Sequence, residues 1–226
     1  MKGFCIAFLV MFLGVTGLSS QNADPEIHPR IPVVTFDLIW DAATPQEFTV
    51  TARADGGSSY LSRNPLKTVP AGEEREPNYS LRFTMSPANQ TRIFKLAQQA
   101  NFFNGNFDYK GHPVANTGKK TLSYADLTRN FQTSYNHSEN KAVQQLTELF
   151  QGISSTIEFG RRLQFKHKYD KLGLEDELKA MENSESNHDL AELQIVAPTL
   201  QSIADDSTVL NIARERARRL LKKAQK

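Results

Sequence analysis

Tyr79-Ser80-Leu81-Arg82-Phe83-Thr84-Met85-Ser86-Pro87 decides the fold. Tyr79, Leu81, Phe83 and Met85 alternate with Ser80, Arg82 and Thr84, the period of two of a half-buried strand. Ser86-Pro87 then stops the strand and opens a helix. The serine oxygen can accept an amide proton of the first turn, and proline at the first helical position gives up no needed donor. Ile93, Leu96, Ala97 and Ala100 follow at helical spacing.

The chain on either side carries more strands. Val33, Phe36, Leu38 and Trp40 form an apolar-rich run after Pro32, and Phe48, Val50 and Ala52 alternate with Thr49, Thr51 and Arg53. Asp55-Gly56-Gly57-Ser58 reads as a turn, and residues 66–77 as a proline-broken surface loop. After a loop over residues 101–117, Leu122 and Tyr124, then Thr128, Phe131, Thr133 and Tyr135, suggest two strands in a hairpin around Asp126. This order predicts an α+β fold, a small antiparallel sheet with one packed helix.

Past residue 139 the pattern is helical. Val143, Leu146, Phe150, Ile153 and Ile157 share one face, and Gly152 and Gly160 weaken that helix by about 1 kcal/mol each without breaking it. Gly173 is a joint before a short helix over residues 174–181, and residues 183–187 read as a polar linker. Leu190, Leu193, Ala197, Leu200 and Ala204 define an amphipathic helix that Pro198 should kink. Asp205-Asp206-Ser207-Thr208 offers N-caps for a last helix. No repeat of fixed period is present, which argues against a solenoid. The expected organisation is a leader over residues 1–20, a sheet domain over 21–138 and a helical C-terminal region over 139–226.

The leader follows from Lys2, an apolar run from Phe4 to Leu13, and small residues at Gly14, Thr16, Gly17, Ser19 and Ser20, the three parts of a secretory signal peptide. The run is shorter than the roughly twenty residues of a bilayer-spanning helix, so cleavage is favoured over anchoring. Cleavage after Ser20 removes Cys5, the one cysteine of the chain. The mature protein then has no thiol, which excludes cysteine catalysis, thiolate zinc sites and disulfides. A bacterial lipoprotein would need a cysteine just after the apolar run. A cysteine-free exported chain of this size, long enough to bury a core without staples, suits a bacterial periplasm or secretome.

Charge is balanced overall, with a formal net of +2, but not along the chain. Residues 209–226 carry Arg214, Arg216, Arg218, Arg219, Lys222, Lys223 and Lys226 against Glu215 alone, a net of +6, which leaves the rest of the mature chain acidic. On a helical projection Val209, Ala213, Ala217, Leu220, Leu221 and Ala224 gather on one face. Arg218, Arg219, Lys222 and Lys226 lie roughly opposite, as the candidate binding residues. Such a face could meet an anionic membrane surface, although its alanine-rich apolar side would insert weakly. The competing reading packs the apolar stripe and turns the basic residues to solvent or to the acidic body. Export argues against a nucleic-acid partner.

No catalytic constellation is present in the sequence. The five histidines, His28, His112, His137, His167 and His188, form no helix-borne metal pair, and there is no nucleophile elbow or phosphate-binding glycine loop. No catalytic or metal-ligating residue is assigned and no cofactor is implied. Asp108 and His112, in one glycine-containing loop, are the place to look for a hydrolase site. Phe102, Phe103, Phe107 and Tyr109 form an aromatic cluster read mainly as closing the first helix onto the sheet.

The stretch from Tyr79 through Ser86-Pro87 to Phe102-Phe103 resembles a domain seen in uncharacterised exported bacterial proteins. Val209-Leu210-Asn211-Ile212-Ala213-Arg214 resembles the helical end of some of them. The resemblance covers about half of the mature chain, rests on no catalytic motif and implies no activity. The expectation is therefore an exported, non-catalytic binding or envelope-associated protein with protein or surface partners. A hydrolase near Asp108/His112 and a peripheral membrane protein using the basic helix are the alternatives.

Overall fold

The computed structural model describes residues 31–64 and 78–225; the expected leader, the loop over residues 66–77 and Lys226 lie outside them. Six strands, β1 (Val33–Ile39), β2 (Glu47–Arg53), β3 (Gly57–Arg63), β4 (Tyr79–Thr84), β5 (Lys119–Ala125) and β6 (Asn130–Tyr135), form one antiparallel sheet in the order β4-β3-β2-β1-β5-β6. Val34, Phe36 and Leu38 of β1 lie opposite Ala52, Val50 and Phe48 of β2, so the alternations on the two strands share one inward face. β3 is one strand more than the sequence suggests. Its Gly57-Ser58 start belongs to the Asp55–Ser58 stretch that reads as a turn, but pairing to β2 and β4 along both edges makes it a strand and sends Ser58, Tyr60 and Ser62 inward.

Helix α1 (Pro87–Gln99) starts where Ser86-Pro87 places it, with the Ser86 hydroxyl accepting the Asn89 N–H at 3.4 Å. It packs on the inward face beside α2 (Lys141–Tyr169), whose Asn140 side chain accepts the N–H groups of Ala142 and Val143. Val143, Leu146, Phe150, Ile153 and Ile157 all bury, and the Phe150 ring stacks on Phe36 with centroids 5.4 Å apart. The opposite face of the sheet carries mainly threonine, serine and charged side chains, and no described element forms a second layer over it.

The distal half of α2 enters a second core with α3 (Leu174–Ser186), α4 (Ala197–Asp205) and α5 (Asn211–Ala224), built around Leu163, Leu178, Met181, Leu200, Ile203, Ala217 and Leu220. Three expectations change here. The stretch 183–186 is the last turn of α3, because Met181 anchors it in the core. Residues 190–204 are not one kinked helix: a 3-10 turn, Leu193–Val196, precedes α4, and Pro198 sits in the first turn of α4, where its missing N–H costs nothing. Asp206 does not cap α5; its carboxylate accepts the Thr208 N–H at 2.9 Å and binds Lys171 and His167.

The α2 glycines explain how the two cores join. The Ala191 N–H donates to the Gly152 carbonyl at 3.3 Å, and a Cβ at Gly160 would stand 2.5 Å from Val196 Cγ1. The segment between α3 and α4 thus lies directly on the α2 backbone. From it the buried Glu192 accepts the Ser86 N–H at 2.8 Å, the Ser86 hydroxyl at 2.6 Å and the Asn89 amide at 2.6 Å. A carboxylate from the helical end thereby caps α1 of the sheet layer, where the helix dipole favours negative charge.

Candidate functional site

The basic helix turns much of its charge inward. Val209, Ala213, Ala217 and Leu220 are buried. Arg216 binds Glu175 and Glu182 of α3, Arg219 binds Glu182, and Lys223 binds Glu185. Of the candidate binding residues, Arg218 pairs with Glu215 and donates to the Ala204 carbonyl at 3.0 Å, while Arg219 is held by Glu182. Lys222 is exposed and makes no hydrogen bond to another described residue, and Lys226 lies outside them. Burial works to raise the Glu182 carboxyl, but Arg219 and Arg216 together hold it below its usual range.

The loop carrying Asp108 and His112 is tied to the end of β6. Asp108 accepts the Asn136 N–H at 3.0 Å and the Lys110 ammonium at 2.9 Å, and these two bonds, Lys110 foremost, hold its carboxyl low. His112 Nδ1 pairs with the Tyr109 hydroxyl at 2.9 Å, and no hydrogen bond joins the aspartate to the histidine. The aromatic cluster divides. Phe103 is fully buried, whereas Phe102 lies 4.7 Å from Tyr124 with the Arg129 guanidinium 3.9 Å over its ring. Asn101, Phe102 and Phe103 all have positive φ (49°, 54° and 68°), a left-handed turn that closes α1 onto the β5–β6 hairpin.

A different place gathers chemistry from separate segments. Between α2 and the β1–β2 connection lies a groove of about 340 Å³ with Leu38, Phe48 and Phe159 in its wall and Trp40, Gln151, Ser155 and Arg162 around it. The connection is held by Trp40 N–H to the Gln46 carbonyl at 2.8 Å and by Gln46 N–H to the Asn64 side chain at 3.1 Å. Gln151, Ser155 and Arg162 recur at spacings of four and seven, which puts them on one side of α2.

The groove has a polar floor. Glu158, 4% exposed, accepts the Tyr60 hydroxyl at 2.9 Å and the Ser62 hydroxyl at 2.8 Å on one oxygen, and Arg161 Nε at 3.0 Å on the other. Because the Tyr60 proton goes to Glu158, Ser154 is the donor in its 3.0 Å contact with the Tyr60 oxygen. Burial first, then the Glu158 charge, push the Tyr60 hydroxyl up. Ser154, Tyr60, Ser62, Glu158 and Arg161 therefore form a satisfied network, the condition under which buried polar groups rigidify a site. Both carboxylate oxygens are engaged, so Glu158 is placed to hold and orient neighbours. The sequence hides this site because Tyr60 and Ser62, which fix its floor, sit on β3, whose start has turn chemistry. The available signal was Ser154 and Glu158, four apart, polar on the flank of an otherwise apolar helix stripe.

Other polar clusters lead elsewhere. Lys120, 5% exposed, donates to the carbonyls of Thr117, Gly118 and Asn136 and to the Thr117 hydroxyl, which ties the 117–118 turn to the end of β6. A hollow of about 210 Å³ on the open sheet face is crossed by pairs already made, Arg63 with Glu47 at 2.8 Å and Thr49 with Asp37 at 2.6 Å. Among the described residues no three histidine, cysteine or carboxylate side chains cluster to hold a metal ion, and no helix is long and apolar enough to cross a membrane. The chain is an antiparallel α+β protein with a helical C-terminal region. No protein-family model matches it, and comparison with curated proteins finds no match.

Proposed function

We propose that this is an exported, envelope-associated protein that works by binding, and that its ligand is a saccharide ring held in the groove beside Trp40. The observation that carries the reading is the groove itself: aromatic walls from separate segments over a floor of Ser154 and Glu158, which the Tyr60 and Ser62 hydroxyls hold in place. Ligand sites are typically concave, mostly apolar and fitted with a few fixed polar groups. A sugar presents an apolar C–H face to an aromatic ring and hydroxyls at its edge. Gln151, Ser155 and Arg162 supply the donors and acceptors for that edge. No free general base adjoins the Ser154 hydroxyl, which favours binding over hydrolysis, and Asp108 and His112 are each bonded to other partners, which lends the hydrolase alternative no support.

The test fills the groove. Ser155→Phe places a ring into the space while leaving both cores intact. Calorimetric titration with soluble envelope glycan fragments should show saturable binding for the parent chain and none for the variant. Equal binding by both removes the groove from the account. Recovery of the native protein from the cytosol rather than the envelope or the medium would contradict the export reading.

A further inference from the structure

We infer that the distal end of α2 is a membrane-surface anchor that seats Phe165, Tyr169 and Leu172 among the headgroups of an anionic bilayer. Phe165 is 62% exposed, Tyr169 65% and Leu172 76%, whereas every other described aromatic residue is buried or half-buried. Phe165 and Tyr169 are one helical turn apart, with ring centroids at 5.1 Å, and Leu172 follows three residues on. Large exposed apolar groups at one place mark an interaction site more often than scattered single ones do.

Shape and chemistry select a lipid surface. Side chains this exposed protrude, and together they offer roughly 400 Å² of surface, using ~200 Å² for a large aromatic side chain. A stable protein interface takes about 800 Å² from each partner. A protruding phenylalanine, tyrosine and leucine instead match the interfacial zone of a bilayer, where amphipathic rings settle at headgroup level. The charge beside them is basic. The Lys168 ammonium stands 4.8 Å from the Tyr169 ring, exposed and without an ion pair to another described residue. Lys166 reaches only the half-exposed Asp170, at 3.5 Å, while Lys171 is committed to Asp206. Lys168 can keep its charge at the phosphates while its stem lies along the apolar surface. The anchor thus sits at the end of α2 and not on α5, whose arginines are tied to α3 (Arg216, Arg219) or to the Ala204 carbonyl (Arg214, Arg218).

The inference does not depend on the groove. It is tested on the chain beginning at Gln21, upstream of every element described, by co-sedimentation with vesicles of phosphatidylglycerol and phosphatidylethanolamine. The parent should bind these vesicles and bind phosphatidylcholine vesicles less. Phe165→Ser/Tyr169→Ser/Leu172→Ser should weaken binding at least about tenfold. Its melting temperature should be unchanged, since the three side chains lie outside both cores. Lys168→Gln should cost less and reduce the salt dependence. Four results would overturn the proposal: no affinity of the parent for anionic vesicles, equal affinity for phosphatidylcholine, parent-like binding by the triple variant, or a parent dimer that the triple variant dissociates.

Discussion

The two ends of the molecule are held together by different physics. In the sheet layer the inward face is mainly hydrocarbon and aromatic, and its ties to α2 are hydroxyl bonds: Tyr60 and Ser62 to Glu158, and Tyr135 to Thr147 at 2.6 Å. In the helical end a smaller core is rimmed by ion pairs, Arg216 with Glu175, Arg219 with Glu182, Arg162 with Glu177 and Lys171 with Asp206. Single surface pairs contribute little, but a network sharing carboxylates across helices is the case in which they count. The sheet should therefore respond to lost volume, and the helical end to lost charge.

The largest effect tests whether the halves fold as one. Phe150 lies in α2, which runs through both cores, and Phe150→Ala should cost about 3–5 kcal/mol. Chemical denaturation should show both ends melting together; two separate transitions would break the coupling. Glu192→Ala leaves Ser86 and Asn89 without their acceptor and should cost about 3 kcal/mol. In that variant amide exchange should rise at the start of α1 before it rises in the strands. Gly160→Ala brings a methyl onto Val196 and should cost about 1–3 kcal/mol, the range for overpacking. Its effect should fall on the helical end, seen as a lowered denaturation midpoint.

Acid tests the same coupling. The Lys171 bond first, with Thr208 and His167, holds the Asp206 carboxyl well below its usual range, and Glu182 is held low by Arg219 and Arg216 against its own burial. A carboxyl whose folded value is depressed stabilises above its unfolded value, near pH 4, and that contribution is lost as pH falls through the folded one. Asp126, held low first by the Thr128 N–H, makes the same contribution in the β5–β6 turn, so the sheet is not exempt. With depressed carboxyls in both layers, helical circular dichroism and the emission of Trp40, the one tryptophan, should change together below about pH 4. Changes at different pH would break the coupling.

Where local pattern and tertiary packing agree, the sequence is a sufficient guide. β4, the Ser86-Pro87 cap, the β5–β6 hairpin and the inward stripe of α2 all follow from periodicity. β3 does not, because Asp55-Gly56-Gly57-Ser58 has turn chemistry and its Gly57-Ser58 end becomes strand only between two partners. Pro198 misleads because a proline in the first turn of a short helix looks, in one dimension, like a proline in the middle of a longer one. The basic face of α5 was visible, but its acidic partners on α3 are 34 to 41 residues away in the chain. The groove is the least legible feature. Its residues come from β1, the β1–β2 connection, β2 and α2, and each one alone reads as core or as surface.

Trp40 makes the binding account directly measurable, since the single tryptophan lines the groove. Its emission should be followed while neutral and N-acetylated oligosaccharides are titrated into the parent chain and into Gln151→Ala/Ser155→Ala. The account predicts a saturable change in the parent with at least one sugar, weakened about tenfold, or ~1.4 kcal/mol, in the variant. A flat response across the panel, or one that the variant reproduces at full affinity, would contradict it.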